Sequence, residues 1–423
     1  MHRLNNYDLK KIHLVLLKYK GLISNFGYLS LLQLLSILLP MMTYPYLIRV
    51  LGAEKYGLIA YSQAIIGYFL VIINFGFNIS EIKDISIERN NEQKISEIVS
   101  SVITIKTIFA LASIVSIILL VCLFDTFKEY KFLYIAYSGV ILDEAINPKF
   151  YFQGIEKMKF ISIFTMLSKI IFVILIFLLV RNTEQFEYVP LLTSIGSIIG
   201  SFGSIYIVFF KHRIKFRLYP LKTIFKHLKE SIPFFTSRIS VIINTKTNVL
   251  LIGSFLGYNE VAYYDLADKI TSVLKIPFNI INQVLFPNVA KSNNVSLVIK
   301  VLKYLLTIYF ITYVSMFFWG KEAIILLGSI NLIPATTTLF ILGFTIITEL
   351  VVVFLGVNTL LISGYKKEYN ISIIYGSIFY LFLILLLYFF NYFNLISLSI
   401  TTVVSSFFIL LYRFYFCRKY KLI

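Results

Sequence analysis

Seven basic and five acidic side chains stand inside runs of otherwise apolar sequence: Lys106, Lys149, Lys169, Arg238, Lys246, Lys269 and Lys275, with Asp143, Glu144, Asp265, Asp268 and Glu349. Arg238 and Lys246 share the stretch FTSRISVIINTKTNV, in which Thr236, Ser237, Ser240, Asn244, Thr245, Thr247 and Asn248 add hydroxyls and amides. Eight residues of helix turn through about 800°, so the two cations point into the same half of one helix. Arginine grips phosphate bidentately and lysine as a point charge, so this set suits an anionic head rich in hydroxyls. Lys106, Lys169, Arg238 and Lys246 are therefore candidate substrate-binding cations. Arg49, at the exit of a run bent by Pro40 and Pro45, would sit at its outer mouth.

The acids suggest ion coupling. Asp143 and Glu144 are adjacent, followed by Asn147, Pro148 and Lys149. Neighbouring carboxylates do not both ionise cheaply in a low dielectric, which suits a proton or cation site. A structural ion pair with a lysine on another helix explains them equally well. Glu349 stands alone in TIITELVVVFLG and must be neutral or paired. With Asp265 and Asp268 these are the ion-coupling candidates, for H+ or Na+. Lys149, Lys269 and Lys275 lie near enough to run ends to snorkel toward headgroups. No cofactor is expected: there is no GxxxxGK[ST] phosphate loop, and Cys122 and Cys417 have no metal-ligand or disulfide spacing. The histidines, His2, His13, His212 and His227, all fall in basic segments between runs.

These residues need elements that cross a bilayer. The chain has 423 residues, 58% of them hydrophobic, and a mean hydropathy of +0.84. A soluble domain is about 45–50% apolar. The excess comes in continuous runs of about 18–25 residues, long enough as helices to cross about 30 Å of hydrocarbon. Continuous rather than alternating apolarity selects helices over a barrel. The expected spans are 23–47, 57–79, 98–123, 132–153, 160–180, 188–210, 232–255, 261–287, 303–320, 335–362, 371–390 and 395–416. The fold class is thus all-α, polytopic, with about twelve transmembrane helices. With the N-terminus inside, 26 Lys and Arg fall on inner segments and 6 outside. That asymmetry predicts cytoplasmic termini, and it accounts for the net charge of +18 without nucleic acid. Residues 1–21 are polar and basic, so no cleavable leader is expected.

The longest loop, 211–231, divides the chain into an N-terminal six-helix lobe (1–210) and a C-terminal one (232–423). A weak repeat supports the division. LGAEKYGLIAYSQA from Leu51 matches LGYNEVAYYDLADK from Leu256, and GIEKMKFIS from Gly154 matches GYKKEYNIS from Gly364. Halves with an even number of spans keep the same orientation, which places a substrate site around a central cavity.

The stretch TYPYLIRVLGAEKYGLIAYSQAI, the following NFGFN with its loop containing Arg89, FQGIEKMKFIS, and LGYNEVAYYDLADKI…PFNIINQVLFPNVA resemble the Wzx-type O-antigen and polysaccharide flippases. These belong to the multidrug/oligosaccharidyl-lipid/polysaccharide exporter superfamily. The resemblance covers nearly the whole chain. It implies alternating access for an undecaprenyl-diphosphate-linked oligosaccharide, moved from the cytoplasmic to the periplasmic leaflet of the bacterial inner membrane by an ion gradient. It takes in Arg49 through the RVLG motif. Membrane lipids, the polysaccharide polymerase and the chain-length machinery would be partners. A capsule or teichuronic-acid exporter and a multidrug antiporter are sister alternatives; the basic balance of the membrane charges disfavours the antiporter. An O-antigen polymerase, the enzyme alternative, would need a larger outer loop than the chain offers.

Overall fold

The computed structural model describes residues 6–292 and 295–423, and all their regular structure is helical. His2 lies outside the described residues, and His13 outside the described side chains. In chain order the main helices are α1 (Asn6–Asn74), α2 (Phe77–Ile87), α3 (Glu92–Leu123), α4 (Ser138–Ile146), α5 (Lys149–Gly154), α6 (Met158–Leu179) and α7 (Tyr188–Tyr206). The chain continues with α8 (Leu221–Phe255), α9 (Tyr258–Leu274), α10 (Ile276–Ser292), α11 (Val295–Leu327), α12 (Ala335–Leu355), α13 (Lys366–Phe389) and α14 (Leu395–Lys419). Each expected span coincides with one long helix or a consecutive set of shorter ones.

Eight stretches among the described residues are long and apolar enough to cross a membrane, and the longest, Leu38–Ile87, contains the break between the first two expected spans. The expected spans missing from that set are 132–153, 232–255 and 261–287. They hold nine of the twelve charges that fall within the expected spans: Asp143, Glu144, Lys149, Arg238, Lys246, Asp265, Asp268, Lys269 and Lys275. In α6 and α11 only 17% of the apolar window is buried by protein, which leaves the rest of those helices to lipid.

Two glycines set the corners. Gly52 interrupts α1 with φ 77° and ψ 168°, and Gly257, just before α9, has φ 107° and ψ 169°. Side-chain-bearing residues rarely adopt this conformation. The glycines occupy equivalent places in the two LG repeats, so the repeated sequence builds the same backbone corner twice. The fourth span is broken for a different reason. Pro148 forces Asn147 out of the helical region, to φ −75° and ψ 112°, which ends α4 and starts α5 at Lys149.

The chain forms two compact units. One comprises 1–42, 72–179 and 187–234; the other 43–71, 180–186 and 235–423. In the first, α3 packs on α4, α4 on α7, α6 on α7, and α2 on α5. Its core includes Phe77, Ile98, Val102, Phe150, Phe152 and Val208. His212 closes this unit's loop by bridging Tyr151 Oη, 2.9 Å from Nδ1, and Lys157 Nζ, 3.2 Å from Nε2. In the second, α12 packs on α14, α13 on α14, and α9 on α12. The α1 segment after Thr43 joins this unit closely. A Cβ on Gly57 would lie 1.7 Å from the Tyr258 carbonyl oxygen, and Tyr61 packs on Tyr258 at 5.6 Å between ring centres.

Two expectations follow. Gly57→Ala should destabilise the protein by at least about 1–3 kcal/mol, because backbone must move. Gly67→Ala, whose Cβ would meet Ile242 at 3.5 Å, should be close to neutral. Thermal midpoints in detergent compare them, and equal midpoints contradict the packing. His212 lies below its ordinary value of 6.5 because it is part-buried and faces the charges of Lys157 and Lys211. Lysine only donates, so Nε2 must accept and stay unprotonated. The unfolded chain takes up the proton first as pH falls, so the latch loses stability below about pH 6.5. The midpoint of the wild-type protein should therefore fall more between about pH 7.5 and 5.5 than that of His212→Gln.

Candidate functional site: paired and unpaired membrane charges

In the first unit Asp143 and Glu144 are the centre of a four-charge cluster. Glu144 lies 3.2 Å from Lys106 and 3.4 Å from Lys149, and accepts a hydrogen bond from Asn74 at 2.7 Å. Asp143 lies 3.9 Å from Lys149, accepts from Asn147 at 3.0 Å, and also accepts from Ser201. Two cations face two anions, so the cluster is formally neutral. The proline break after Ile146 makes this possible, because it lets Lys149 turn back over the end of α4. Lys106 is 1% exposed. Its ammonium is committed to this cluster and is not a free anion site. Lys169 is half-buried on α6.

The second unit holds a matching arrangement. Asp265 pairs with Lys269 one turn along α9 and accepts a 2.6 Å hydrogen bond from Tyr56. Lys269 also donates to the Tyr56 hydroxyl at 2.6 Å and stands 3.5 Å over the Tyr44 ring. Lys269 is therefore held inside the unit rather than snorkelling. Lys275 pairs with Glu349 at 2.7 Å, so Glu349 is not alone. Arg49 is exposed and has no carboxylate within 4.0 Å among the described residues. It donates to the carbonyls of Gly328, at 3.1 Å, and Leu326, which lie at the C-terminal end of α11. A helix end rich in unpaired carbonyls attracts a guanidinium.

The polar face of α8 divides in two. Asn248 is 1% exposed and donates to Tyr264, the Leu398 carbonyl and Thr402 at 3.0, 2.8 and 2.7 Å, while Tyr380 donates back to it at 2.5 Å. Asn244 donates to Ser377 at 2.7 Å. This side ties α8 to α9, α13 and α14 and does not line water, a correction to the cavity expected for the whole helix. On the other side, Arg238 is exposed and Lys246 half-buried, and neither has a carboxylate within 4.0 Å among the described residues. Of the five acids, Asp268 is the one with no ion pair within that distance among the described residues. Arg413, counted with the inner segments by sequence, is 3% exposed and donates to Ser372 at 2.9 Å and the Val352 carbonyl at 2.6 Å.

Tyr44, Tyr56, Asn74 and Ser201 were not legible as site residues. They are ordinary residues in apolar or amphipathic surroundings, and only packing brings them to a charge. Tyr380 was hidden for the same reason, and so were the partners of Asn248.

This arrangement of helices, with neutralised charge among them, is that of a multi-pass membrane protein. The folds of solved transporters agree. The chain is similar to the lipid II flippase MurJ in an inward closed conformation, with a TM-score of 0.75, 19% identity, and 92% of this chain and 87% of that one covered. It is also similar to an inward-facing multidrug resistance transporter of the MATE family, in the MOP superfamily, with a TM-score of 0.68, 16% identity, and 90% and 95% covered. Residues 22–293 match the family described as polysaccharide biosynthesis protein, and the chain belongs to that family. A candidate O-antigen transporter of Escherichia coli (strain K12) is 24% identical over 373 residues, which is 85% of this chain and 88% of that protein. One from Shigella dysenteriae is 29% identical over 258 residues, 60% and 64% of the two chains.

Glu144→Gln should strand Lys106 without a carboxylate and cost about 3–5 kcal/mol. Adding Lys106→Met should recover most of the loss, read as thermal midpoints of the purified protein. If Glu144→Gln keeps the wild-type midpoint but abolishes transport, the cluster serves ion coupling rather than structure.

Proposed function

We propose that this protein flips undecaprenyl-diphosphate-linked oligosaccharide repeat units of a surface polysaccharide, O-antigen being the first candidate, from the cytoplasmic to the periplasmic leaflet by alternating access. The observation that carries the reading is the pair Arg238 and Lys246 on one side of α8. Four other membrane cations, Lys106, Lys149, Lys269 and Lys275, are matched by carboxylates, while these two have none within 4.0 Å among the described residues. An arginine and a lysine in a membrane helix with no carboxylate in ion-pair range are costly and mark a place for an anion. A diphosphate supplies one. Family membership supports the polysaccharide side of the reading, and so do the names of the bacterial relatives.

An ion gradient supplies the driving force in this reading. Asp268 is the acid best suited to hold a H+ or Na+, since the other four candidates are engaged by lysines. The six-helix lobes, the inner-membrane location and the cytoplasmic termini belong to the same proposal, as does hand-over of the product to the polymerase and chain-length machinery. In the transport cycle the contacts of Tyr56 with Asp265 and Lys269, and of Arg49 with the end of α11, act as a latch at the outer face that opens to release the substrate.

A strain lacking the gene should accumulate single lipid-linked repeat units and lose surface polymer. Arg238→Ala with Lys246→Ala should lower export at least about tenfold, the equivalent of about 1.4 kcal/mol in a binding constant, at unchanged protein level. Normal polymer in either strain, with no second exporter present, contradicts the anion site. Altered resistance to cationic drugs with normal polymer assigns the chain to a drug exporter instead.

A further inference from the structure

Glu81 and His227 lie apart from the charges considered above, in the first unit. Glu81 is 0% exposed and His227 4%. Glu81 stands on α2 and Asp84 three residues later, on the same helix face. His227 comes from the first turns of α8. One ligand atom from each of the three lies within 4.8 Å of the other two. Glu81 Oε2 approaches His227 Nδ1 to 3.1 Å. The approach lacks hydrogen-bond geometry: Oε2, Nδ1 and Nε2 are all buried without a hydrogen-bond partner.

Such groups are rare in folded proteins, because each unsatisfied buried polar atom costs about 1–3 kcal/mol. Here three occur in two touching side chains. Beside them opens a cavity of about 520 Å³, lined by Asp84, His227, Glu88, Glu97, Glu230 and Lys94 among others. A shared ion would satisfy Glu81 Oε2 and one of the two imidazole nitrogens, and would enter from that cavity.

We propose that Glu81, Asp84 and His227 bind a divalent transition-metal ion, of which Zn2+ is the reference, with a remaining coordination position facing the cavity. The donor set is one imidazole and two carboxylates. Ca2+ and Mg2+ prefer oxygen alone, whereas nitrogen with carboxylate suits Zn2+ and its first-row neighbours. Ligand bonds of about 2.0–2.2 Å put tetrahedral ligand atoms about 3.3 Å apart. The Glu81–His227 approach already has that spacing, and only the half-buried Asp84 needs to swing in. The ion would tie α2 to the start of α8. This inference does not depend on the transported substrate.

Full-length protein with its affinity tag removed is stripped with a chelator and titrated with ZnCl2, with metal content read by mass spectrometry and binding by calorimetry. One saturable Zn2+ per chain at micromolar or lower concentration is expected, with a raised thermal midpoint. Asp84→Asn, at a half-buried position that tolerates the change, should weaken binding at least tenfold, and His227→Gln at least as much. His212→Gln and Cys122→Ser should leave it unchanged. The proposal is overturned if no saturable uptake occurs, if Asp84→Asn binds like the wild type, if the loss follows His212 or Cys122, or if Ca2+ competes on equal terms.

Discussion

A charge buried in a helix that crosses lipid must meet its opposite or lie where water reaches it, and the arrangement of this chain follows from that constraint. The transfer cost is several kcal/mol for each group. Lys106 on α3, Glu144 on α4 and Lys149 on α5 satisfy it together, and in doing so they hold three segments in one place. Tyr56, Asp265 and Lys269 do the same between α1 and α9. Lys106 and Tyr56 stand on helices within the set long and apolar enough to cross a membrane, whereas Glu144, Lys149, Asp265 and Lys269 stand on helices outside it. The stability of the latter helices comes from neighbours rather than from their own apolarity.

Close backbone approach is the second constraint, and it depends on the first. The Tyr56 hydroxyl reaches Asp265 because Gly57 lets α1 come against the Tyr258 carbonyl. Gly356 plays the same part for Arg413: a Cβ there would stand 2.0 Å from the guanidinium. A π-helical turn, Gly356–Leu361, begins at that residue, and such turns form where a side chain inserts beside a helix. In both places glycine serves a buried polar contact rather than a flexible loop.

The proposed anion and ion sites rest on the charges that no partner meets within ion-pair range. Pairing removes Lys106, Lys149, Lys269, Lys275, Asp143, Glu144, Asp265 and Glu349 from the set of free charges. Arg238, Lys246 and Asp268, in the second unit, have no ion pair within 4.0 Å among the described residues. The side of α8 opposite Lys246 is fixed to three other helices through Asn244 and Asn248, so the two cations are held on a rigid support. Rigid presentation lowers the entropy lost when an anion binds.

The sequence by itself determined the class of protein, the expected helical segments and the places where charge enters them. Continuous apolar runs have one reading in lipid, and the LG repeat marked both glycine corners. It also raised the ion-pair alternative for Asp143 and Glu144, the one the geometry supports. Which cation meets which acid was decided only by tertiary structure. Lys275 and Glu349 are 74 residues apart, and Tyr56 and Asp265 are 209 apart. Nothing in local spacing encodes such meetings, since they depend on how helices cross. For the same reason Arg49 turned out to cap a helix, half of the polar face of α8 proved to be interhelical glue, and Glu81 with His227 went unnoticed. Periodicity reports the face on which a residue lies, but only packing decides what that face meets.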